Sequence, residues 1–405
     1  MLGDVDIQYK VGNLDTSKLV LMGCNVYESC VDHHTYADIT IFDANDVMGQ
    51  SQLAGDEEVS VTINLPEGGG QEANFKLALL QNADMKHSGA NKGKFYQLRC
   101  VSKDFLTSRS KVVNKSYNDQ TSNVVKDVYE KIIKTDKKVN IVSETKGKQR
   151  VISNSKNPYA FLNSIKDRHV SQKYEQDGSA FALFERRNKN GEQEVVFSTF
   201  KDMMDEDMGL QYTYTQNPSV GSNSTADHND NILNFNVPSS FYTPFRYDSA
   251  SGRSSYNIAS GKQQKEDNQF KDFKLPTANQ SPVRKEKDVV NEPSKDQKPI
   301  IHTVVDPAND KEQTYITQSK SYKQAMNARL QNDTGIMEVP GNPQITCGKK
   351  MKLKIPLKAD SNSGDEEKQI TAEVLVLRVK HMIKPAGQTP RYTTIVEFMK
   401  GGFNE

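Results

Sequence analysis

Alternating apolar and polar residues predict antiparallel strands in the first quarter of the chain. The alternation is regular in Glu58–Leu65, where every second residue is apolar, and it continues at 75–80 and 95–101. A period of two places the apolar side chains on one face of a sheet and the polar ones on the other. A polar loop containing glycine is predicted at 82–94. Region 18–105 as a whole is predicted to be mostly antiparallel sheet.

After residue 105 the apolar residues follow a helical period. Between 124 and 133 they recur at spacings of three and four, which places them on one face of a helix. The preceding residues 121–123 are Thr-Ser-Asn and are predicted to cap its N-terminus. A second helix is predicted over 159–169, directly after an Asn-Pro pair.

A hairpin is predicted beyond these helices. Its two strands are 179–185 and 194–200, and the turn between them contains Asn190-Gly191, a dipeptide that favours tight hairpin turns. Region 106–204 is therefore predicted to be an α+β unit that differs in pattern from both of its flanks.

A polar stretch follows, from about 217 to 300. It is rich in Ser, Asn, Asp, Lys and Gln, and its least apolar part is 248–299. That composition predicts a linker or a disordered segment. Inside a compact protein, a segment of this length usually has a function or belongs to an assembly.

The C-terminal region returns to a pattern typical of a folded unit. A helix with an apolar stripe is predicted at 319–331, and Asp333-Thr334-Gly335 ends it. The strands predicted after this helix are 336–339, 351–355, 372–382 and 391–398.

The composition indicates more surface than core. The chain has 405 residues, 35% of them hydrophobic, and 53 Lys+Arg against 52 Asp+Glu give a net charge of +1. This balance excludes a broadly basic coat for nucleic acid and a broadly acidic one. At about 150 residues per domain, the length fits two to three domains. No apolar run of about 18 residues and no signal peptide is visible, so we expect no membrane insertion by this chain.

Two cysteines and two histidines lie close enough in the sequence to suggest a zinc site. Cys24, Cys30, His33 and His34 lie within eleven residues. Zinc ligands usually come as close pairs, whereas these cysteines are six apart and the two histidines are adjacent, which on a strand points them to opposite faces. We therefore interpret these residues as ordinary strand and turn residues. All four cysteines, which include Cys100 and Cys347, are expected to be reduced thiols.

No other segment carries a complete chemical motif. Residues 89–94 resemble a phosphate-binding loop, but the spacing is one residue short and Phe95 stands where Ser or Thr is needed. The acidic clusters 202–207 and 365–367 are interpreted as solvated faces. The basic runs 146–150 and 284–287 lack the interleaved aromatic residues of a nucleic-acid binder. We assign no catalytic, cofactor-binding or metal-binding residue and expect no cofactor.

The order of the segments resembles a known family. A β unit is interrupted by an α+β unit, crosses a long polar stretch and ends in a second β unit. This order is similar to that of the central baseplate hub proteins of contractile-tail bacteriophages, which share a fold with type VI secretion spike proteins. The segments that carry the resemblance are 37–43, 53–59, 109–117, 157–162, 339–345, 379–381 and 392–394.

The resemblance implies a mainly β fold with an α+β insertion, built on two antiparallel β-barrels similar to those of a tail tube. The implied layout is an N-terminal arm at 1–17, a first barrel at 18–105 completed by 205–245, an inserted domain at 106–204, a polar crossing segment at 246–300, and a second barrel at 301–405 that contains the helix at 319–331.

The resemblance also implies a structural role without enzymatic activity. Hub proteins form a homotrimer, whose six barrels match a sixfold tail tube while its threefold side holds the tail spike. Tape measure and baseplate wedge proteins are further candidate partners, and DNA would pass through the channel without specific binding. The implied location is the tail baseplate of the virion, after synthesis in the host cytoplasm.

Three alternatives stay open at this point. One is a type VI secretion-like spike base, a more distant one is a metal- or nucleotide-dependent enzyme, and another is a protein that binds single-stranded nucleic acid.

Overall fold

The structure, a computed structural model, describes most of the chain. The described residues are 5–51, 53–65, 71–87, 93–166, 168–174, 180–214, 230–236, 251–257, 263–268, 300–305, 323, 334–356, 369–386 and 389–404.

The strands account for most of the regular structure. They are β1 (Asp6–Val11), β2 (Leu19–Ser29), β3 (Tyr36–Asp43), β4 (Glu58–Leu65), β5 (Gln71–His87), β6 (Lys94–Val101), β7 (Ser116–Asp119), β8 (Lys138–Ile141), β9 (Gln149–Ile152), β10 (Phe181–Arg187), β11 (Gln193–Thr199), β12 (Asp207–Thr213), β13 (Asn234–Asn236), β14 (Ser251–Asn257), β15 (Gln263–Asn268), β16 (Ile300–Val305), β17 (Thr334–Pro340), β18 (Lys350–Pro356), β19 (Gln369–Ala386) and β20 (Thr389–Asn404).

The helices are few and short. They are a 3₁₀ turn (Thr16–Lys18), α1 (Val47–Gln50), α2 (Lys103–Ser110), α3 (Thr121–Asp127), which continues as a π-helix (Val128–Ile133), α4 (Pro158–Lys166) and α5 (Phe200–Asp205). Within the described ranges, no helix has the length and apolar character needed to cross a bilayer.

Twelve strands form one continuous sheet. Its main path runs β1-β4-β5-β6-β3-β2-β19-β20-β17-β13, and β12 and β18 branch from β19. The long strand β19 makes the sheet continuous, because its first half pairs with β18 and its second half, Arg378–Ile383, pairs with β2. The protein is therefore mainly β. The two predicted barrels do not appear as closed barrels among the described residues, since the path is open and the two β units share this strand.

Within 205–245, which was expected to complete the first barrel, the described strands β12 and β13 pair elsewhere, so the expectation is wrong for these two strands. β12 pairs in parallel with β18, and β13 pairs antiparallel with β17, so both strands extend the C-terminal part of the sheet. The physical reason is the place where the apolar side chains on and beside these strands are buried. Tyr212 and Ile232 are buried in the core formed with β17 to β20.

The region between β6 and β12 forms sheets of its own. β8, β10 and β11 make a three-stranded sheet, and β7 pairs with β9 in a two-stranded ribbon. Within the described residues, neither sheet shares a ladder with the large one. Helices α3 and α4 pack their apolar faces on the three-stranded sheet around Tyr129, Phe161 and Phe197.

Three hydrophobic cores result from this arrangement. The first lies among β1 to β6 and contains Ile39, Phe75 and Leu98. The second lies among β12 and β17 to β20 and includes α5, β10 and β11 side chains such as Phe184. The third belongs to the helical region. β10 is buried at all seven positions because its two faces contribute to different cores.

Local predictions were confirmed where the pattern was regular. Glu58–Leu65 forms β4 with the predicted bounds, and the predicted hairpin is β10 and β11, with Gly191 at a φ of 78° in the turn. Both predicted helices exist, as α3 with its π-helical continuation and as α4.

Several boundaries differ from the prediction. The loop expected at 82–94 is shorter, because β5 continues through His87 and pairs with β6. The N-terminal arm contains β1, which pairs with β4. Helix α3 begins at Thr121, so Gln120 rather than residues 121–123 holds the N-cap position, and no side chain caps it.

The polar crossing segment contains regular structure as well. β14 pairs with β15 and with β16 in a three-stranded sheet, so 248–299 is not merely a linker. The predicted helix at 319–331 lies outside the described residues, apart from Lys323.

Gly348 lies where the second core packs tightly against β10. Its φ is +73°, and a Cβ there would lie 2.5 Å from the Phe184 ring. Gly209 has a similar φ of +74° but nothing within 4 Å, which makes it a matched control. Gly209→Ala should cost about 1–2 kcal/mol from backbone strain alone. Gly348→Ala should cost about 1–3 kcal/mol more, because the core is overpacked. Chemical denaturation measures both, and equal losses would contradict this packing.

Candidate functional site

The four residues considered as zinc ligands have their side chains in different parts of the structure. Cys24 is buried in the first core and Cys30 in the second. The His33 ring lies 5.3 Å from that of Tyr159, and His34 stacks on Phe105 at 4.1 Å. Burial raises the pKa of both thiols to about 12. In the described part of the chain, no group of three or more metal-ligating side chains comes together.

The most distinctive polar site is a set of buried residues where the cores meet. We call Glu28, Arg187, Thr346, His381 and Tyr392 the junction cluster. Glu28 lies on β2, Arg187 at the end of β10, and His381 and Tyr392 on β19 and β20. Each of these side chains is at most 4% exposed. The cluster thus joins the first β unit, the inserted unit and the C-terminal strands.

Arg187 is the centre of the junction cluster. Its Nε lies 3.1 Å from Glu28 Oε1 and its Nη2 lies 2.8 Å from Glu28 Oε2, a bidentate pair. The same guanidinium donates to the carbonyl oxygens of Pro343 and Ile345 in the segment between β17 and β18. Its cation also lies 4.7 Å from the Phe75 ring centre. Each of the three guanidinium nitrogens therefore has at least one acceptor within the protein.

The contacts fix the protonation states of the cluster. Burial opposes ionisation of Glu28, but the charge of Arg187 and the hydrogen bonds that Arg187 donates outweigh it and lower the pKa of Glu28 to about 2. Arg187 Nη2 lies 2.9 Å from His381 Nε2. Because a guanidinium can only donate, Nε2 must accept, and Nδ1 then donates to the Tyr392 hydroxyl at 2.7 Å. Burial lowers the pKa of His381, consistent with this neutral ring.

A second buried cluster joins the first β unit to the helical region. Lys137 Nζ lies 2.8 Å from Glu185 Oε1 and 3.2 Å from Asp104 Oδ2. It also donates to Ser102 Oγ at 2.6 Å, at the point where the chain leaves β6. Burial disfavours the Lys137 charge, yet Glu185 and Asp104 outweigh it and raise its pKa. Thr35 completes the link, as its backbone N–H donates to Glu185 Oε2 at 3.3 Å.

The acidic cluster at 202–207 was interpreted as a solvated face, which is wrong for Asp202. Its carboxylate accepts hydrogen bonds from Ser143, from Thr199 at 2.9 Å and from Tyr174 at 2.9 Å. Thr199 in turn accepts from the Asp202 backbone N–H and caps α5. The spacing Thr-x-x-Asp is a capping-box signal, which could have identified this site in the sequence.

These clusters can hold elements in place but offer little chemistry. Their charged groups are buried and paired, and the side chains of Lys137, Asp104 and Glu185 are 7%, 5% and 0% exposed. A substrate would have no access to them. Paired charges that tie together strands distant in sequence fix the relative positions of three cores.

Comparison with known proteins agrees with this architecture. The sequence matches no known family profile and no curated protein. Among solved structures, the chain matches a 43 kDa tail protein of prophage MuSo2 from Shewanella oneidensis, with 12% identity, 98% of each chain covered and a TM-score of 0.55. It also matches a tail protein from Neisseria meningitidis MC58, with 10% identity, coverage of 98% and 96%, and a TM-score of 0.57.

This chain has the phage tail protein fold. The match runs over nearly the whole chain, so the resemblance inferred from the order of segments is confirmed at the level of fold. A Francisella PdpA-VgrG complex also matches, with 12% identity and a TM-score of 0.50, covering 98% of this chain and 58% of the other. The match to the MuSo2 tail protein thus covers 98% of this chain.

Breaking the junction cluster should strongly destabilise the tail-protein fold. Arg187→Met leaves Glu28 buried without a partner and should cost about 3–5 kcal/mol in the free energy of unfolding. The control is Arg378→Met, which removes a more exposed pair, in which Arg378 Nη1 lies 2.8 Å from both carboxylate oxygens of Glu397, and should cost about 0–1 kcal/mol. Denaturant titration measures both. Similar losses for the two variants would show that the junction cluster does not hold the cores together.

His33 should make stability depend on pH. Burial and the nearby charge of Lys166 lower the pKa of His33 to about 4. Between pH 6.5 and about 4 the unfolded chain binds a proton that the folded chain excludes, so the free energy of unfolding falls as the pH falls. In the variant His33→Gln, the fall in the free energy of unfolding between pH 6.5 and about 4 should be smaller by up to about 3 kcal/mol. Denaturation at several pH values tests this, and an unchanged slope in the variant would contradict it.

Proposed function

We propose that this protein is a structural component of a phage tail and serves as the hub of its baseplate. The observation that carries the proposal is the fold match to two tail proteins over at least 96% of every chain involved. In this role the chain forms a threefold ring that adapts a threefold spike to a sixfold tail tube. Its location would be the tail baseplate of the virion.

The continuous sheet supports a mechanical role. Two β units that share strand β19 are held in register by backbone hydrogen bonds along β2 and β20. Load applied to one unit is thereby transmitted to the other through a ladder rather than through a flexible linker. A ring subunit placed between tube and spike needs this rigidity.

The proposed domain layout follows the strand pairing. We assign 6–101 to the first β unit, 102–206 to the inserted α+β unit, and β12, β13 and β17 to β20 to the second β unit. The two β units take the place of the two tube-like barrels expected from the sequence, and the separate sheet of β14 to β16 lies between β13 and β17 in the sequence. Three copies would then present six β units around an opening.

A non-enzymatic role fits the buried polar groups. The buried clusters of titratable residues are shielded from solvent and connect secondary-structure elements, as expected of a structural protein. Spike, tube, tape measure and wedge proteins are the proposed partners, and DNA would pass the opening without a specific site.

A second candidate is the base of a type VI secretion-like spike. The match to the PdpA-VgrG complex at a TM-score of 0.50 favours it. Both candidates use the same ring, and they differ in the partner that the ring carries.

The proposal predicts a homotrimer, alone or when the spike protein is added. Each chain has a mass of 45.5 kDa, so light scattering after size exclusion distinguishes a trimer from a monomer, dimer or hexamer. Measuring the protein with and without its spike partner distinguishes a trimer that forms by itself from one that forms only when the partner is bound. A stable dimer or hexamer under both conditions would be incompatible with a threefold hub.

A further inference from the structure

The first half of β5 has one edge that no described strand pairs with. Residues 71–78 pair with β4 on one side. On the other side, the ladder with β6 begins only at Ala78 and continues to His87. In the described strand order, β5 has no neighbours other than β4 and β6. The stretch 71–77 therefore leaves backbone donors and acceptors at an edge of the large sheet, which we call the open edge.

Alternation along β5 shows which backbone groups face the open edge. The N–H of Leu79 donates to the carbonyl oxygen of Glu57 at 2.8 Å, on the side of β4. In an antiparallel ladder, every second residue bonds to the same neighbour, so the odd-numbered residues of this stretch face β4. The N–H and C=O groups of Glu72, Asn74 and Lys76 therefore point to the open edge.

The turn of the β10–β11 hairpin lies against the open edge. The Lys76 N–H donates to Gln193 Oε1 at 2.9 Å, although the two residues are 117 positions apart in the sequence. A Cβ added to Gly191 would lie 3.0 Å from the carbonyl oxygen of Glu72. The same turn thus approaches the backbone of β5 at two points, where a further strand would otherwise pair.

Two residues of the turn are suited to this contact. Gly191 has a φ of +78° and no Cβ, so it can adopt the turn conformation and lie close to Glu72. Gln193 supplies a side-chain oxygen in place of a strand carbonyl. Gln193 pairs with Arg187 across the hairpin, so the residue that binds Glu28 also fixes the position of the turn.

The other end of the Gln193 amide shows what the side chain contributes. Its Nε2 is buried and has no acceptor among the residues that the structure describes. A buried donor without an acceptor is unfavourable and offsets the bond that Oε1 accepts from Lys76. Gln193 therefore adds little to the overall stability, and its effect is local to the open edge.

We propose that this turn is a cover that prevents the open edge of β5 from pairing with a strand of another chain. An unpaired edge is a template for strand addition, and folded proteins cover such edges with a loop or a helix. The Lys76 side chain is exposed at the same place, and a lysine on an edge opposes strand addition as well. The cover belongs to the inserted unit and the edge to the first β unit, which gives the inserted unit a protective role.

Gln193→Ala, made in the full chain, should loosen the cover without unfolding the protein. The Lys76 amide should exchange with deuterium several-fold faster, up to about tenfold, because it loses its acceptor. Mass spectrometry of peptides spanning 71–77 measures this exchange. The midpoint of denaturation should change little. The control is Gln8→Ala on β1, which is exposed and should leave exchange at 71–77 unchanged.

Gly191→Ala tests the second point of contact. Its Cβ would crowd the Glu72 carbonyl and push the turn away, so exchange at 71–77 should rise here too. Gly209→Ala is the matched control, because Gly209 has a similar φ of +74° with nothing within 4 Å. Backbone strain alone should therefore leave the exchange at 71–77 as in the wild type.

Light scattering over a concentration series tests the protective role. The double variant Gln193→Ala with Gly191→Ala should form assemblies larger than those of the wild type at the same concentration. Adding Lys76→Pro removes the N–H at the open edge, and proline cannot donate to a ladder. The triple variant should therefore return to the wild-type size. Circular dichroism confirms that each variant is folded.

Three results would overturn the inference. Unchanged exchange in both single variants would show that the turn does not cover the edge. Faster exchange without larger assemblies would show that the cover protects against nothing. Larger assemblies that persist with Lys76→Pro would place the new contact elsewhere. Each comparison is made with the wild type, so the outcome does not depend on whether the wild type is a trimer.

Discussion

The buried pair of Glu28 and Arg187 is the interaction on which the arrangement of the three cores depends. Glu28 belongs to the first β unit, and Arg187 ends the strand whose faces serve the second and third cores. Arg187 also holds two carbonyls of the segment between β17 and β18. Because a buried charge without its partner is costly, these elements can pack only in the arrangement that pairs the two groups. Specific geometry, more than net stability, is what such a pair provides.

The hydrogen-bonded sheet and the junction cluster constrain the same region in different ways. β19 joins the two β units edge to edge through its ladder with β2, and the cluster crosses from β19 to β10 through His381 and Arg187. A ladder alone would allow twisting about the strand direction. Side-chain bonds on a third element remove that freedom. The ladder and the side-chain bonds together restrict the motion of the two β units relative to β10.

The sequence predicted local structure well and long-range pairing poorly. Glu58–Leu65 could be assigned because one face is buried and the other is exposed, which produces a strict alternation. β10 shows the limit, because both of its faces are covered and even Glu185, Arg186 and Arg187 are buried. Charged residues in a strand indicate a surface position unless their partners are known. The partner of Arg187 is 159 residues away, and no local pattern connects the two.

The same limit applies to the pairing of β12 with β18. Their composition is visible in the sequence, but their neighbours are set by the fold. The order of segments carried more information than any single motif, because a shared fold preserves the order when identity has fallen to 12%.

Electron microscopy of the purified protein bound to its spike or tube partner tests the central claim most directly. A hub should appear as a threefold ring in which the two β units of each chain alternate around a central opening, giving six similar densities. A particle without threefold symmetry, or a threefold ring in which the two β units occupy unrelated positions, would contradict the account.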